Sequence, residues 1–100
     1  MKYNKLVRDK IPEYIRSKGS VPITHIADEG EYWQKLKEKL QEEVDEFLKD
    51  GNPEEIADIL EVIDAICNYQ KINKQELRAI KDKKAEERGR FEKRIILEQA

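Results

Sequence analysis

The carboxylates of Glu43, Glu46, Glu55 and Asp58 are the side chains whose types and spacing point most directly to chemistry. They form two pairs, Glu43/Glu46 and Glu55/Asp58, each spaced i, i+3. Residues three apart on a helix project to roughly the same side. Two antiparallel helices carrying one pair each can therefore aim four carboxylates into one small volume. Charges held that close repel unless a cation sits among them. An all-oxygen donor set favours a hard cation, Mg²⁺ or Mn²⁺.

No other constellation in the chain competes. His25 is the single histidine and is expected to be a surface or packing residue. Cys67 is the single cysteine, so neither an intramolecular disulfide nor a cysteine-based zinc site can form, and a lone thiol suits a reducing compartment. There is no Ser/His/Asp or Cys/His arrangement and no Gly-rich phosphate loop. Tyr32, Trp33 and Tyr69 are expected in the core, with Trp33 or Tyr69 able to lie beside the acids as well.

The elements that must position the acids are helices. Pro12 suits the first turn of a short helix, Ile11 to Lys18, stopped by Gly19. A long helix is predicted from Glu29 to Asp50. Gly51-Asn52-Pro53 then breaks the chain: Gly ends one helix, Asn caps the next and Pro takes its first position. The second long helix runs from Pro53 to Gln70. A third, capped by Asn73, runs from Lys74 to Arg88 and stops at Gly89. Residues 3–9 are expected as an ordered loop. Short extended segments are expected near residues 21–28 and 93–97, the second pairing with Thr24–Ile26.

Successive helical residues turn by about 100°. On the first long helix Trp33, Leu36, Leu40, Val44 and Phe47 share an arc of about 80°, with Leu48 at its edge. Glu43 falls at the border of that stripe, between Tyr32 and Leu36, and Glu46 lies about 60° further out. Asp45 and Glu38 point away. On the second helix Ile56, Ile59, Leu60, Ile63, Ile66 and Cys67 form a broad apolar face, which Val62, Ala65 and Tyr69 extend. Glu55 falls between Val62 and Ile66, and Asp58 between Ala65 and Tyr69. The polar stripe is elsewhere, at Glu61, Asp64 and Asn68. An ionised carboxylate taken out of water costs several kcal/mol unless it is paired or metal-bound. Structural roles stand beside the metal role: Glu55 occupies the capping-box position after Asn52, and Glu43 or Glu46 can pair with Lys39 or with another helix.

Composition sets the frame. One hundred residues make a single domain, residues 1–100. Charged residues are 42% of the chain, a level compatible with disorder, but the helical periodicity of the apolar residues argues for a folded domain. The expected fold is all-α: an antiparallel helical bundle of the two long acidic helices plus a third. Its thin core is completed by oligomerisation, as a homodimer or homotetramer. Net charge is −2, but residues 38–64 hold eleven acids against Lys39 and Lys49, while residues 1–18 and 71–94 carry +4 and +5. An acidic middle between basic ends suits a cation site with anion-binding flanks, or mutual neutralisation across helix faces. It does not suit duplex nucleic acid. The amino terminus lacks the apolar run of a signal peptide and no stretch approaches a membrane span, so a cytoplasmic protein without a membrane partner is expected.

Lys39-Leu-Gln-Glu42-Glu43-Val-Asp-Glu46 followed by Glu54-Glu55-Ile-Ala-Asp58-Ile-Leu resembles the E-E-x-x-E … E-x-x-D signature of the all-α, MazG-like nucleoside triphosphate pyrophosphohydrolases. Tyr3-Asn-Lys-Leu-Val-Arg-Asp-Lys-Ile-Pro12 and Lys84-Ala-Glu-Glu-Arg-Gly-Arg-Phe-Glu-Lys-Arg-Ile96 resemble a subfamily described as predicted house-cleaning enzymes for non-canonical nucleotides. The resemblance covers nearly the whole chain. The acidic motif is moderately specific alone and strong in combination with both ends. Two departures stand out: a short gap between the acid pairs, and Arg90 where relatives often have a second Gly.

The resemblance implies metal ligation by Glu43, Glu46, Glu55 and Asp58, with Mg²⁺ as the cofactor and Mn²⁺ as a substitute. It implies Asn68 facing the nucleotide and Lys84 and Arg88 near phosphate contacts. Charge and motif add Lys5, Arg8 and Lys10 as phosphate-binding candidates. The implied reaction is hydrolysis of a nucleoside triphosphate to monophosphate and pyrophosphate, with Glu43 or Glu46 taking the proton of the attacking water. Alternatives are a non-catalytic helical dimerisation or interaction module, and hydrolysis of phosphoribosyl-ATP, whose enzyme shares the acidic architecture.

Overall fold

The computed structural model describes residues 4–100 and is all-α: α1 (Ile11–Ser17), α2 (Glu29–Asp50), α3 (Pro53–Gln70) and α4 (Lys74–Arg88). Tyr3, which opens the amino-terminal motif, lies outside the described residues. The helix ends follow the local signals. Asp28 caps α2, its Oδ1 accepting from Glu31 N at 2.8 Å. Gly51 ends α2 at φ 67°, a left-handed conformation that costs glycine little. Asn52 Oδ1 then accepts from Glu55 N at 3.1 Å to start α3, with Pro53 in its first turn. Asn73 caps α4 through Gln75 N and Glu76 N.

The two-residue turn folds α2 and α3 into an antiparallel hairpin, the one extensive helix–helix interface among the described residues. Its far end is clasped by aromatics. The Trp33 and Tyr69 rings stack at 5.3 Å, Tyr32 meets Tyr69 edge-on at 5.6 Å, and Tyr69 Oη donates to Glu29 O at 3.3 Å. Among the described residues Leu36 is fully buried, and Val62 and Cys67 are the other buried apolar side chains.

Several sequence expectations need correction. Residues 21–28 and 93–97 form no strand ladder with each other, and Arg94 adopts a positive φ of 57°. The apolar side chains of both segments stand in the open, so nothing packs them into a sheet. α1 ends at Ser17, with Lys18 as its cap. Leu48 is exposed rather than at the edge of the core. The broad apolar face of α3 divides in two. Val62, Ile66 and Tyr69 turn toward α2, whereas Ile56 and Leu60 stay 46% and 56% exposed on the other side. α4 is exposed along its length except at half-buried Ala85. The radius of gyration is 17.8 Å, against about 13 Å for a compact chain of this size. No helix is long and apolar enough to cross a membrane.

Candidate metal centre

The acids gather at the turn end of the hairpin, opposite the aromatic clasp. Carboxylate oxygens of Glu43, Glu55 and Asp58 lie within 4.8 Å of one another, close enough for one cation to touch all three. A second set, Glu46, Asp50 and Glu55, meets the same limit. Glu55 belongs to both. The four expected ligands therefore do not converge on a single point: Glu46 leaves the Glu43/Asp58 group and joins Asp50.

Helical geometry explains this. Glu55 and Asp58 lie on the side of α3 that faces α2, within about 40° of buried Val62. Glu43 lies about 20° from buried Leu36, and its side chain is only 12% exposed. Glu46 is turned about 80° from Leu36 and stays exposed. Asp50, which sequence reasoning missed, lies about 40° from Leu36 on the same flank as Glu43 and Glu46. The i, i+4 step from Glu46 was the signal that could have found it.

The local field is negative by construction. Asp50, in the last turn of α2, sits where the helix dipole disfavours negative charge, whereas Glu55, in the first turn of α3, sits where the dipole favours it. Partial desolvation, then the charges of Asp50, Asp58, Glu46 and Glu43, raise the Glu55 carboxyl above its ordinary range. Asn52 caps α3 through Glu55 N, but the Glu55 carboxylate makes no reciprocal bond to Asn52, so a capping box does not account for it.

Partial compensation comes from three cations. Lys39 Nζ lies 3.2 Å from Glu43 and 3.3 Å from Glu42. Lys5 Nζ lies 3.2 Å from Glu42. Burial opposes ionisation of Glu42, but the hydrogen bonds and charges of Lys5 and Lys39 outweigh it and hold that carboxyl below its usual range. Arg8 Nη2 reaches Asp58 Oδ1 at 2.8 Å, and its Nη1 stands 3.8 Å from Glu61. Glu46, Asp50 and Glu55 have no ion-pair partner among the described residues.

No family model matches the chain, and no solved structure matches it. Over 42 residues it is 50% identical to a protein of Mycolicibacterium smegmatis described as uncharacterized. The matched stretch covers 42% of this chain and 43% of that protein.

The donor set fits a hard divalent cation: only oxygens, clustered, and short of positive charge. The other candidates stand apart from it. Asn68 is exposed ten residues beyond Asp58, about 15 Å along the helix. Lys84 and Arg88 lie on exposed α4, and Lys10 is exposed at the start of α1. None of these four contacts the acids. Trp33 and Tyr69 are at the opposite end of the hairpin, so neither lies beside the acids. Glu61 faces Arg8, Asp64 pairs with Lys74 at 3.3 Å, and His25 Nε2 pairs with Glu31 at 2.9 Å.

Proposed function

We propose that this protein hydrolyses a nucleoside triphosphate to its monophosphate and pyrophosphate with Mg²⁺ held at the turn end of the α2–α3 hairpin. The observation that carries the reading is the pair of carboxylate triads sharing Glu55, on a chain whose acidic motif resembles the MazG-like pyrophosphohydrolases. Glu43, Glu55 and Asp58 are the ligands of first choice, with Glu46 and Asp50 flanking them. A Mg²⁺ ion held by these residues would supply neutralisation of triphosphate charge and a lowered pKa for the attacking water. Water attacks the α-phosphorus, the bond to the bridging oxygen breaks, and the proton passes to a carboxylate. Glu46 suits that last role better than Glu43, because Glu43 is tied to Lys39 whereas Glu46 is exposed and unpaired. Lys5 and Arg8 border the acids and supply the positive charge that a pyrophosphate leaving group needs.

A homodimer or homotetramer goes with this reading, a second copy covering Ile56 and Leu60 and enlarging a core that among the described residues has three buried side chains. A cytoplasmic setting goes with the free, buried thiol of Cys67. The second reading, a non-catalytic interaction module, is favoured by one observation: Glu43 and Asp58 already have cationic partners. A pyrophosphate-release assay over a panel of NTPs and dNTPs with Mg²⁺ separates the two. Release by wild type and not by Glu46→Gln supports hydrolysis. Silence across the panel with both Mg²⁺ and Mn²⁺, together with no Mg²⁺-dependent rise in Tm, favours the module.

A further inference from the structure

The segment before α1 crosses the acidic end of the hairpin like a strap. Lys5 is anchored on Glu42 of α2, and Arg8 on Asp58 and Glu61 of α3, so four residues of strap, Lys5 to Arg8, span both helices. Leu6 and Val7 between them are half-buried. Asn4, Lys5 and Leu6 line a groove whose other wall is Lys35, Glu38, Lys39 and Glu42 of α2. The strap is thus packed as well as ion-paired. Its most specific contact falls on Asp58, one of the three carboxylates that converge.

We propose that Arg8 and the divalent cation compete for Asp58, so that metal loading releases the amino-terminal strap from α3. This inference rests on the metal-site reading above and adds to it a moving part. The physical reason is charge. In the structure the Arg8 guanidinium supplies the positive charge that Asp58 requires. A dication among Glu43, Glu55 and Asp58 meets the same need more strongly and repels the guanidinium beside it. Two ligands that oppose each other at one group weaken each other's binding by the same factor. Once displaced, the guanidinium remains tethered next to the site with its planar fork of donors free, a geometry suited to two oxygens of one phosphate. Arg8 thus guards the acids in the resting chain and turns to substrate phosphate only after the metal is in place.

The test is Mn²⁺ binding by calorimetry on full-length wild type, Arg8→Gln and Asp58→Asn at low salt. Hydrogen exchange of residues 4–10 with and without Mg²⁺ reports the strap. Competition predicts that Arg8→Gln binds Mn²⁺ about fivefold more tightly than wild type, at the low end of such couplings because both partners are half-exposed and screened. It also predicts that the advantage shrinks as salt rises, and that Mg²⁺ speeds exchange in the strap of wild type. Binding by Arg8→Gln where wild type shows none is the extreme form of the same result. If wild type and Arg8→Gln bind equally, or Arg8→Gln binds more weakly, Arg8 orients Asp58 rather than competing for it. The inference then fails while the metal site stands. Unchanged strap exchange on Mg²⁺ binding overturns it as well. No binding by any of the three proteins removes the metal site, and the inference with it.

Discussion

The two ends of the α2–α3 hairpin are built on opposite principles. At one end Tyr32, Trp33 and Tyr69 meet with stacked and edge-on rings, Leu36 nearby on α2 is fully buried, and Tyr69 Oη donates to Glu29 O. At the other end five carboxylates gather about the turn, and partial desolvation together with the charges of the other four raises Glu55. The aromatic end holds the hairpin together. The acidic end works against it, because five like charges crowd together and only two of them, Glu43 and Asp58, have a cationic partner among the described residues. On the proposed reading, the destabilising groups gather where the cation would bind, far from the best packing. Stability should therefore answer to substitutions at one end and activity to those at the other.

Substitutions can break that comparison. The largest expected effect is on turnover: Glu43→Gln or Asp58→Asn should lower pyrophosphate release at least about 10²-fold while far-UV circular dichroism is unchanged. Full activity in either would remove the carboxylate site. At the other end, Tyr69→Ala should cost about 2–3 kcal/mol, below the usual range for a large aromatic because Tyr69 is only half-buried. Denaturant unfolding checks this, and Mg²⁺ affinity should survive where the variant folds. Leu60→Glu should shift the oligomer toward monomer in light scattering if a second copy covers that face of α3.

The smallest effects sharpen the comparison. Glu55→Gln should raise the Tm of the metal-free protein, because it removes the carboxylate that the other four acids repel, and should abolish the Mg²⁺-dependent rise. The pH dependence has a definite sign. A carboxyl raised in the folded chain binds protons more tightly there than in the unfolded chain. Between its ordinary and raised pKa, the folded state therefore carries more protons. The Glu55 contribution to metal-free stability falls as pH rises through that window and recovers as pH drops. Mg²⁺ binding runs the other way, since the ligand must be deprotonated, and should weaken as pH falls through the raised Glu55 value. Melting curves with and without Mg²⁺ across the acidic range should converge at low pH.

The helices were legible in the sequence because their signals are local. Gly51-Asn52-Pro53 carries a left-handed stop, a cap and a first-turn proline in three consecutive residues, and the structure places α2 and α3 on either side of it. The desolvation of Glu43 was legible for a related reason, since angular position on a helix follows from counting. Two features of the site were less accessible. The division of the acids into two groups depends on how far around α2 each one turns once α3 is docked, which separates Glu46 from Glu43 and recruits Asp50. The Arg8–Asp58 contact joins residues fifty positions apart, and local sequence gives no pattern for it. The tail departs from its sequence pattern because β-branched residues favour a strand only where a partner strand is present, and residues 93–97 are exposed throughout.

The proposed cation site is tested most directly by crystals of the full chain soaked in Mn²⁺ and measured for anomalous scattering. The account predicts a peak bounded by Glu43, Glu55 and Asp58, with carboxylate oxygens at about 2.0–2.2 Å, and Arg8 withdrawn from Asp58. A map with no peak at the turn end of the hairpin, or one with Arg8 still seated on Asp58 and manganese only elsewhere, would contradict it.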